Sequence, residues 1–359
     1  MRPMDIRELT EADVPEVAQF IATSAAQLRR EQGASEPPAR MGETEQAKAL
    51  RSQLFESPFA EPGIGPGLVL RNRAGAVTGS LLFYPWRYLA EKERLLGLAA
   101  GAFFVDRSER MAGFFLFRKY LNMKGPDFCY ANSCNPNLAS LWWKMKGCAV
   151  VDSEYEHFFV LRPEPVVQEM LLRKRVPTPA ARVMSAITAP GRRLLAPRRT
   201  GWRVERCTDY ARLAESAERH RREDLITTER SEAYLRWRYP ARDPDTKICR
   251  FTTPRGDEGW FSIATQRRGM RDQIRGVRLL DAVWPQERVS CRMVFNAVLE
   301  EIDGEADVLS VRGRPIFDEL RQAATYTRRL SSPESFVGSK QMNPISIASR
   351  LDCANADLV

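Results

Sequence analysis

The feature that most constrains this chain is the run Leu95-Leu96-Gly97-Leu98-Ala99-Ala100-Gly101-Ala102-Phe103-Phe104-Val105, which passes without a break into Asp106-Arg107-Ser108-Glu109-Arg110. The apolar run is too short and too rich in glycine and alanine to span a membrane, and it reads as a buried central strand. The acidic and hydroxyl residues behind it suit the first turn of a helix, along which Met111, Phe114, Phe115, Arg118 and Leu121 recur near helical spacing. A helix that starts directly off a buried strand offers its free N–H groups and positive dipole end to an anion. Arg110 adds a charge there, and Gly113 lets a ligand approach the backbone.

The order then repeats. Asp127 to Ala131 reads as a second strand, Asn132 to Asn137 as a turn, and Leu138 to Gly147 as a helix, with Pro136 where a first helical residue belongs. Ala149 to Val151 and Glu154 to Leu161 read as a hairpin returning to the same sheet. Upstream, Arg29 to Arg40 is a polar loop, Glu43 to Phe55 a helix, and Gly67 to Arg71 and Ala76 to Tyr84 are paired strands. The 359 residues exceed what one core serves, and the 43% of hydrophobic residues can fill two. The second half runs in a similar order. Trp202 to Cys207 is a strand, Asp209 to Arg221 a helix, and Ser231 to Pro240 a helix ending at proline. Lys247 to Thr252, Gly259 to Gln266 and Gly276 to Trp284 are strands, Val289 to Ile302 is a helix, and Val308 to Val311 with Ile316 to Ala323 is a last strand-helix pair.

On these residues the chain resembles the GNAT acyltransferase superfamily. Arg110-Met111-Ala112-Gly113 stands behind a buried strand, and Asn135-Pro136-Asn137 leads to Trp142-Trp143-Lys144-Met145-Lys146-Gly147-Cys148. Ile6 to Val14 is similar to that family's opening strand and capped first helix, so the resemblance covers residues 1 to 162. It implies an α/β chain of two tandem GNAT-like domains, each a mixed, largely antiparallel central sheet flanked by helices. Residues 1–162 would bind acyl-coenzyme A, 163–200 would be a basic, proline-rich linker, 201–340 a second, degenerate domain, and 341–359 a tail. The implied activity is transfer of an acyl group from acetyl-coenzyme A, or another acyl-coenzyme A, to an acceptor amine by direct attack. Phe103, Phe104 and Val105 would bond the pantetheine arm, and Arg110, Met111, Ala112 and Gly113 would hold the pyrophosphate. Tyr130 and Asn135 are the catalytic candidates. Trp237 and Arg238 are the substrate-binding ones, from a segment, Glu232 to Tyr239, that resembles the second half of tandem GNAT proteins of cell-envelope polysaccharide or natural-product pathways.

Two positions depart from the family's pattern. Phe115 fills a place usually held by glycine or alanine, and Trp142 or Trp143 fills the place where many members carry a tyrosine as the acid for the leaving thiolate. Indole N–H does not titrate usefully. Two other readings therefore stand beside the first: a Fem-like transferase that takes an aminoacyl group from charged tRNA, and a binding protein of the same fold without chemistry. Glu91, Glu93 and His157 are further candidates for a base, each with a packing or surface role as the simpler account.

A net charge of +9 suits anionic ligands such as coenzyme A, while no zinc finger, RNA-binding strand signature or basic zipper points to nucleic acid. The seven cysteines include no Cys-x-x-Cys pair, and with two histidines they indicate neither a disulfide framework nor a metal site. No apolar segment reaches membrane-spanning length and no signal region opens the chain, so a cytoplasmic location is expected. From Pro163 to Gly201 basic residues are mixed with Met170, Leu171 and Leu172. A surface connection is the simpler reading of that stretch, and a membrane-docking or anion-binding arm the sharper one.

Overall fold

A computed structural model describes residues 5–31, 42–91, 93–188, 199–240, 245–269, 273–313 and 315–352. The described elements begin with strand β1 (Asp5–Glu8), helices α1 (Val14–Glu31) and α2 (Glu43–Phe55), and strands β2 (Gly67–Arg71), β3 (Val77–Ala90) and β4 (Glu93–Val105). Next come α3 (Arg110–Leu121), β5 (Phe128–Ala131), α4 (Pro136–Lys144), β6 (Cys148–Ala149) and β7 (Tyr155–Val160). Helices α5 (Pro163–Arg173) and α6 (Thr178–Ala186) lead to β8 (Arg203–Arg206), α7 (Tyr210–Arg219), β9 (Ile226–Thr228) and α8 (Glu232–Arg238). The chain continues through β10 (Thr246–Thr252), β11 (Glu258–Arg268), β12 (Ile274–Val283), α9 (Cys291–Glu301) and β13 (Val308–Arg312). A 3-10 helix at Pro315–Ala323 precedes β14 (Tyr326–Arg329), β15 (Phe336–Gly338), α10 (Pro344–Arg350) and β16 (Leu351–Asp352).

These elements form two mixed sheets flanked by helices, in two compact units. One unit comprises Met1–Val151, Glu223–Glu229 and Ser331–Val359, the other Asp152–Arg222 and Arg230–Leu330. The first sheet runs in the order β1-β2-β3-β4-β5-β15-β6, with β9 pairing both β3 and β16. Its core joins Leu81, Phe83 and Leu98 to Leu116, Phe117 and Tyr120 of α3 and Trp142 of α4. Each fully buried aromatic of this kind contributes roughly 1.5–3 kcal/mol. The second sheet runs β14-β7-β13-β12-β11-β10-β8. There α9 turns Val294, Phe295 and Val298 inward, and Phe295 meets Phe159 of β7 at 4.3 Å between ring centroids.

The structure divides the chain elsewhere than at residues 162 and 340. The expected hairpin over Glu154 to Leu161 does not return to the first sheet, because β7 pairs antiparallel with β13, Val160 opposite Val308, and with β14. Alternating apolar residues mark a strand but not its partner. The three residues of β15 lie between β5 and β6 in the first sheet, where Phe336 stacks on Trp142 at 6.1 Å. The linker contains α5 and α6, each with a proline at its start, and the tail contains α10 and β16. The strand expected over Ala76 to Tyr84 continues to Ala90. Most of the loop expected at Arg29 to Arg40 lies outside the described residues, as do Arg192, Arg193, Arg198 and Cys353.

Candidate functional site

The site is made by two parallel strands that part. β4 and β5 are paired from Gly97 opposite Phe128 to Ala100 opposite Ala131, where β5 ends. β4 runs on to Val105 and, among the described residues, no strand pairs with that edge beyond Ala100. Backbone N–H and C=O groups left without a ladder partner must find another one, so a bare strand edge inside a cleft is a place for a ligand to bond. Just below the split, Tyr120 of α3 ties the two strands, its hydroxyl lying 2.5 Å from the Leu98 carbonyl oxygen and 2.9 Å from that of Tyr130. Burial holds that phenol well above its usual pKa, so it stays a donor.

On its other edge β4 pairs with β3, and the register slips there. Leu82 faces Gly101 and Ser80 faces Phe104, so β4 carries one extra residue, a β-bulge. Ala102 sits in the bulge at φ +44°, a left-handed conformation uncommon for a residue with a side chain. The Ser80 hydroxyl donates to the Ala102 carbonyl at 3.2 Å.

A cleft of about 1120 Å³ opens where the strands part. One wall is Gly101 to Ser108 with Arg110, Gly113 and Phe114, and the other is Ser133, Asn135 and the α4 residues from Asn137 to Lys144 that face it. Ser24, Gln27, Leu28 and Glu31 of α1 complete it. At the mouth, a single 3-10 turn over Arg107–Glu109 leads into α3, whose N-cap residue Glu109 makes no capping side-chain bond. Arg107 donates to the Glu31 carboxylate, and this bond, with help from Gln27, holds Glu31 below the usual carboxylate range. Glu31 is therefore a weak base.

Of the residues expected to hold a cofactor, Phe103, Phe104, Val105, Arg110 and Gly113 line the cleft. Met111 does not and is 72% exposed, and Ala112 is buried in the core. A Cβ on Gly113 would stand 3.3 Å from Val105 Cγ2 and 3.5 Å from Phe103 Cζ, so this glycine serves the close packing of α3 on β4. Phe115 points elsewhere, into a shallow concavity with Glu8, Arg118 and Lys119, and leaves the cleft open.

The catalytic candidates separate. Asn135 lines the cleft, but its side-chain oxygen is spent on the N-terminus of α4, accepting from the Leu138 N–H at 3.0 Å. Tyr130 is fully buried, packed on Tyr88 at 5.7 Å and Phe128 at 5.8 Å, and is absent from the lining. Trp142 is buried in the core and Trp143 is 53% exposed, and neither lines the cleft. Trp237 and Arg238 lie in the second unit, on α8. The Arg238 guanidinium lies 5.4 Å over the Tyr239 ring, with Nε and Nη2 buried and unbonded among the described residues.

Sequence reasoning missed Ser133, Ser24, Gln27 and Lys144, which come from a turn and from helix faces. Among the described residues that line the cleft there is no tyrosine, histidine or cysteine. Cys134, beside Ser133, is buried, and burial pushes its thiol well above the usual range, so it is no thiolate nucleophile. Among the described residues no three His, Cys, Asp or Glu side chains gather to hold a metal ion, and no helix is long and apolar enough to cross a membrane.

No family model and no curated protein matches the sequence. Solved structures do match in fold. An Enterococcus faecalis protein called a probable N-acyltransferase has TM-score 0.58 at 8% identity, over 94% of this chain and 72% of its own. A GCN5-related N-acetyltransferase from Anabaena variabilis has TM-score 0.57 at 10% identity, over 93% of this chain and 72% of its own. The N-myristoyltransferase of Saccharomyces cerevisiae, with bound myristoyl-CoA, has TM-score 0.53 at 10% identity, over 94% of this chain and 83% of its own.

Proposed function

This chain has the fold of the GNAT N-acyltransferases, and from that premise we propose that it transfers an acyl group from acyl-coenzyme A to an amine. The observation that carries the reading is the bare edge of β4 from Gly101 to Val105, continuous with the uncapped start of α3. An extended amide-bearing arm can pair with the edge as a strand would. Its diphosphate can lie against the helix N-terminus between Arg107 and Arg110. Lys144, on the facing wall, offers a third cation.

The chemistry requires little of side chains. The amine nitrogen attacks the thioester carbonyl carbon, and backbone N–H groups of the Phe103 region stabilise the oxyanion. The C–S bond then breaks, the sulfur takes the electron pair, and the nitrogen gives its proton to water. A thiol of pKa roughly 8.5 is a tolerable leaving group near neutrality, so a tyrosine is not obligatory. Serine hydroxyls from Ser133 and Ser140 are the nearest kind of donor to the cleft's α4 side. The acceptor belongs to the small-molecule or sugar-type amines, and a cytoplasmic supply of acetyl- or longer acyl-coenzyme A is part of this proposal.

Calorimetric titration with acetyl-coenzyme A and a longer acyl-coenzyme A tests it. Arg110→Ala combined with Gly113→Val, which drives a side chain against Val105, should weaken binding at least ~10-fold, ~1.4 kcal/mol. A wild type that binds neither cofactor overturns the reading. The absence of tyrosine, histidine and cysteine among the described lining residues favours a second reading, a binding protein without turnover, which binding with no product from any amine would establish. Retention of tRNA instead of acyl-coenzyme A would move the assignment to a Fem-like transferase.

A further inference from the structure

In the second unit, α6 turns its apolar side outward. Ala181 and Ser185, four residues apart, are its buried positions, whereas Ala180, Val183, Met184 and Ile187 are exposed. Those four stand at i, i+3, i+4 and i+7, the spacing of a single helical face, which in a globular protein normally meets the core. Val183 is 69% exposed and Ile187 76%, and Met170 on α5, which packs against α6, adds a further exposed apolar side chain.

The charges along the two helices are mainly cationic, four against two. Arg173, Lys174 and Arg175 lie where α5 passes toward α6, and Arg182 lies within α6, all exposed. The hairpin has two carboxylates. Glu169 is buried and accepts from Arg173 Nε at 2.8 Å and Gln273 Nε2 at 3.1 Å, and Glu164 stands in the first turn of α5, at the end away from the cationic turn. Long basic side chains beside exposed valine, methionine and isoleucine are suited to a surface that is apolar within and anionic at its rim.

We propose that the α5–α6 hairpin docks this chain onto an anionic lipid bilayer, with Val183, Met184 and Ile187 entering the headgroup region and the arginines and lysine on the lipid phosphates. A second copy of the chain is disfavoured as the occupant, since a symmetric contact would set one cationic rim against another. A protein partner is disfavoured by size: a helix of nine residues is about 14 Å long and cannot alone supply the roughly 800 Å² per side of a standard interface. A bilayer needs no shape complement. So few apolar residues do not hold a neutral surface by themselves, which makes the cations, and so anionic lipid, part of the recognition. This inference is independent of the acyl-coenzyme A reading, because it concerns the other unit.

Sedimentation of the full chain with extruded vesicles tests it. Phosphatidylcholine vesicles containing about a third phosphatidylglycerol should carry the protein down and pure phosphatidylcholine should not, with binding about 10-fold weaker when salt is raised from ~0.1 M to ~0.5 M. Val183→Ser with Ile187→Ser should weaken vesicle binding about 10-fold or more, and so should Lys174→Gln, Arg175→Gln and Arg182→Gln together. All five positions are exposed, so the melting curves should match wild type. The proposal is overturned if the wild type stays in the supernatant with anionic vesicles, or if the serine variant binds them undiminished. It is also overturned if light scattering finds a wild-type dimer that the serine variant loses, which would assign the stripe to a second copy.

Discussion

The central strand of each unit ends in the same way and is finished differently. β4 outruns its parallel partner β5 past Ala100, and β12 outruns its parallel partner β13 past Leu279. Each carries one extra residue near its end: β4 between Gly101 and Phe104, and β12 between Leu279 and Asp281, where Ile263 and Ser262 are their respective partners. Beyond that point the units diverge. Phe103 to Val105 remain half-buried beside a cleft, and α3 starts almost at once. At the end of β12, Ala282, Val283 and Trp284 are all buried, Trp284 stacks on Phe317, and Asp281 is locked to Arg230 at 2.7 and 2.9 Å. Helix α9 begins only at Cys291, and its N-terminus is capped by the Ser290 side chain on the Met293 N–H. The two strand ends thus differ in whether side chains fill the space beside them, and only the edge of β4 is left uncovered by the described residues of its unit.

The sharpest test sets a filled position against an open one. A Cβ on Gly259 would lie 2.4 Å from Phe251 Cζ and 2.5 Å from the Val283 carbonyl oxygen, and a backbone oxygen cannot step aside. Gly259→Ala should cost about 3 kcal/mol, read as a lower denaturant midpoint. Ser133→Trp, on the exposed rim of the first unit's cleft, should leave stability within ~0.5 kcal/mol of wild type. It should nevertheless weaken acyl-coenzyme A binding about 100-fold, ~2.7 kcal/mol. A destabilised Ser133→Trp protein, or one that binds undiminished, breaks the contrast between an open and a filled strand end.

A smaller effect separates the units by charge. Burial pushes the Glu156 carboxyl in the second unit up, but the charge and hydrogen bond of Arg268 at 3.0 Å, and then the charge of Arg328, outweigh it and hold Glu156 below its ordinary range. A lowered folded pKa contributes stability that is full above the unfolded value near ~4.3 and is lost as pH falls through the folded value. Glu156→Gln should therefore cost about 2 kcal/mol at pH 7, at the low end for a buried pair because Arg328 is half exposed. The variant should also show a shallower loss of stability between roughly pH 4.5 and 3 in melts. Asp13 of the first unit, likewise lowered despite burial by bonds from Thr10 and by Arg71 and Arg7, should go on titrating in that variant. An acid limb identical to wild type would mean that Glu156 does not carry it.

What could be read from the sequence follows the length of each signal. The apolar run to Val105, the turn after it and the Asn135-Pro136 start of α4 are continuous or chemically specific, and the structure has them within two residues. Phe103 to Val105, Arg110 and Gly113 reach the cleft because they adjoin along the chain. Tyr130 does not, because β5 is four residues buried on both faces, where alternation cannot say which side chain meets a ligand. β9 and β15, three residues each, have no period to detect, and their place in the first sheet is decided by pairing over long sequence distances. Ser133 and Lys144 had no local mark, since their role depends on how far two strands separate.

The smallest effect addresses what holds the open edge in shape. At the bulge in β4, Ala102 holds φ at +44°, whereas no described non-glycine residue of the β12 bulge has a positive φ. A left-handed alanine costs roughly 1 kcal/mol, and the neighbouring ladder to β3 and the Ser80 bond keep it there. Ala102→Gly relieves that cost but gives the unfolded chain more freedom, worth about 0.5–1 kcal/mol, so net stability should change by less than ~0.5 kcal/mol. Turnover, once an amine acceptor is in hand, should nevertheless fall several-fold if the proposed mechanism holds, because the N–H groups of the Phe103 region would no longer be fixed toward the carbonyl that this mechanism has them polarise. The loss should appear in kcat more than in KM, since the ground-state thioester needs those donors less than the oxyanion does. Equal turnover in Ala102→Gly and wild type would show that the strained bulge opens the cleft without aligning it, and the two units would then differ in filling alone.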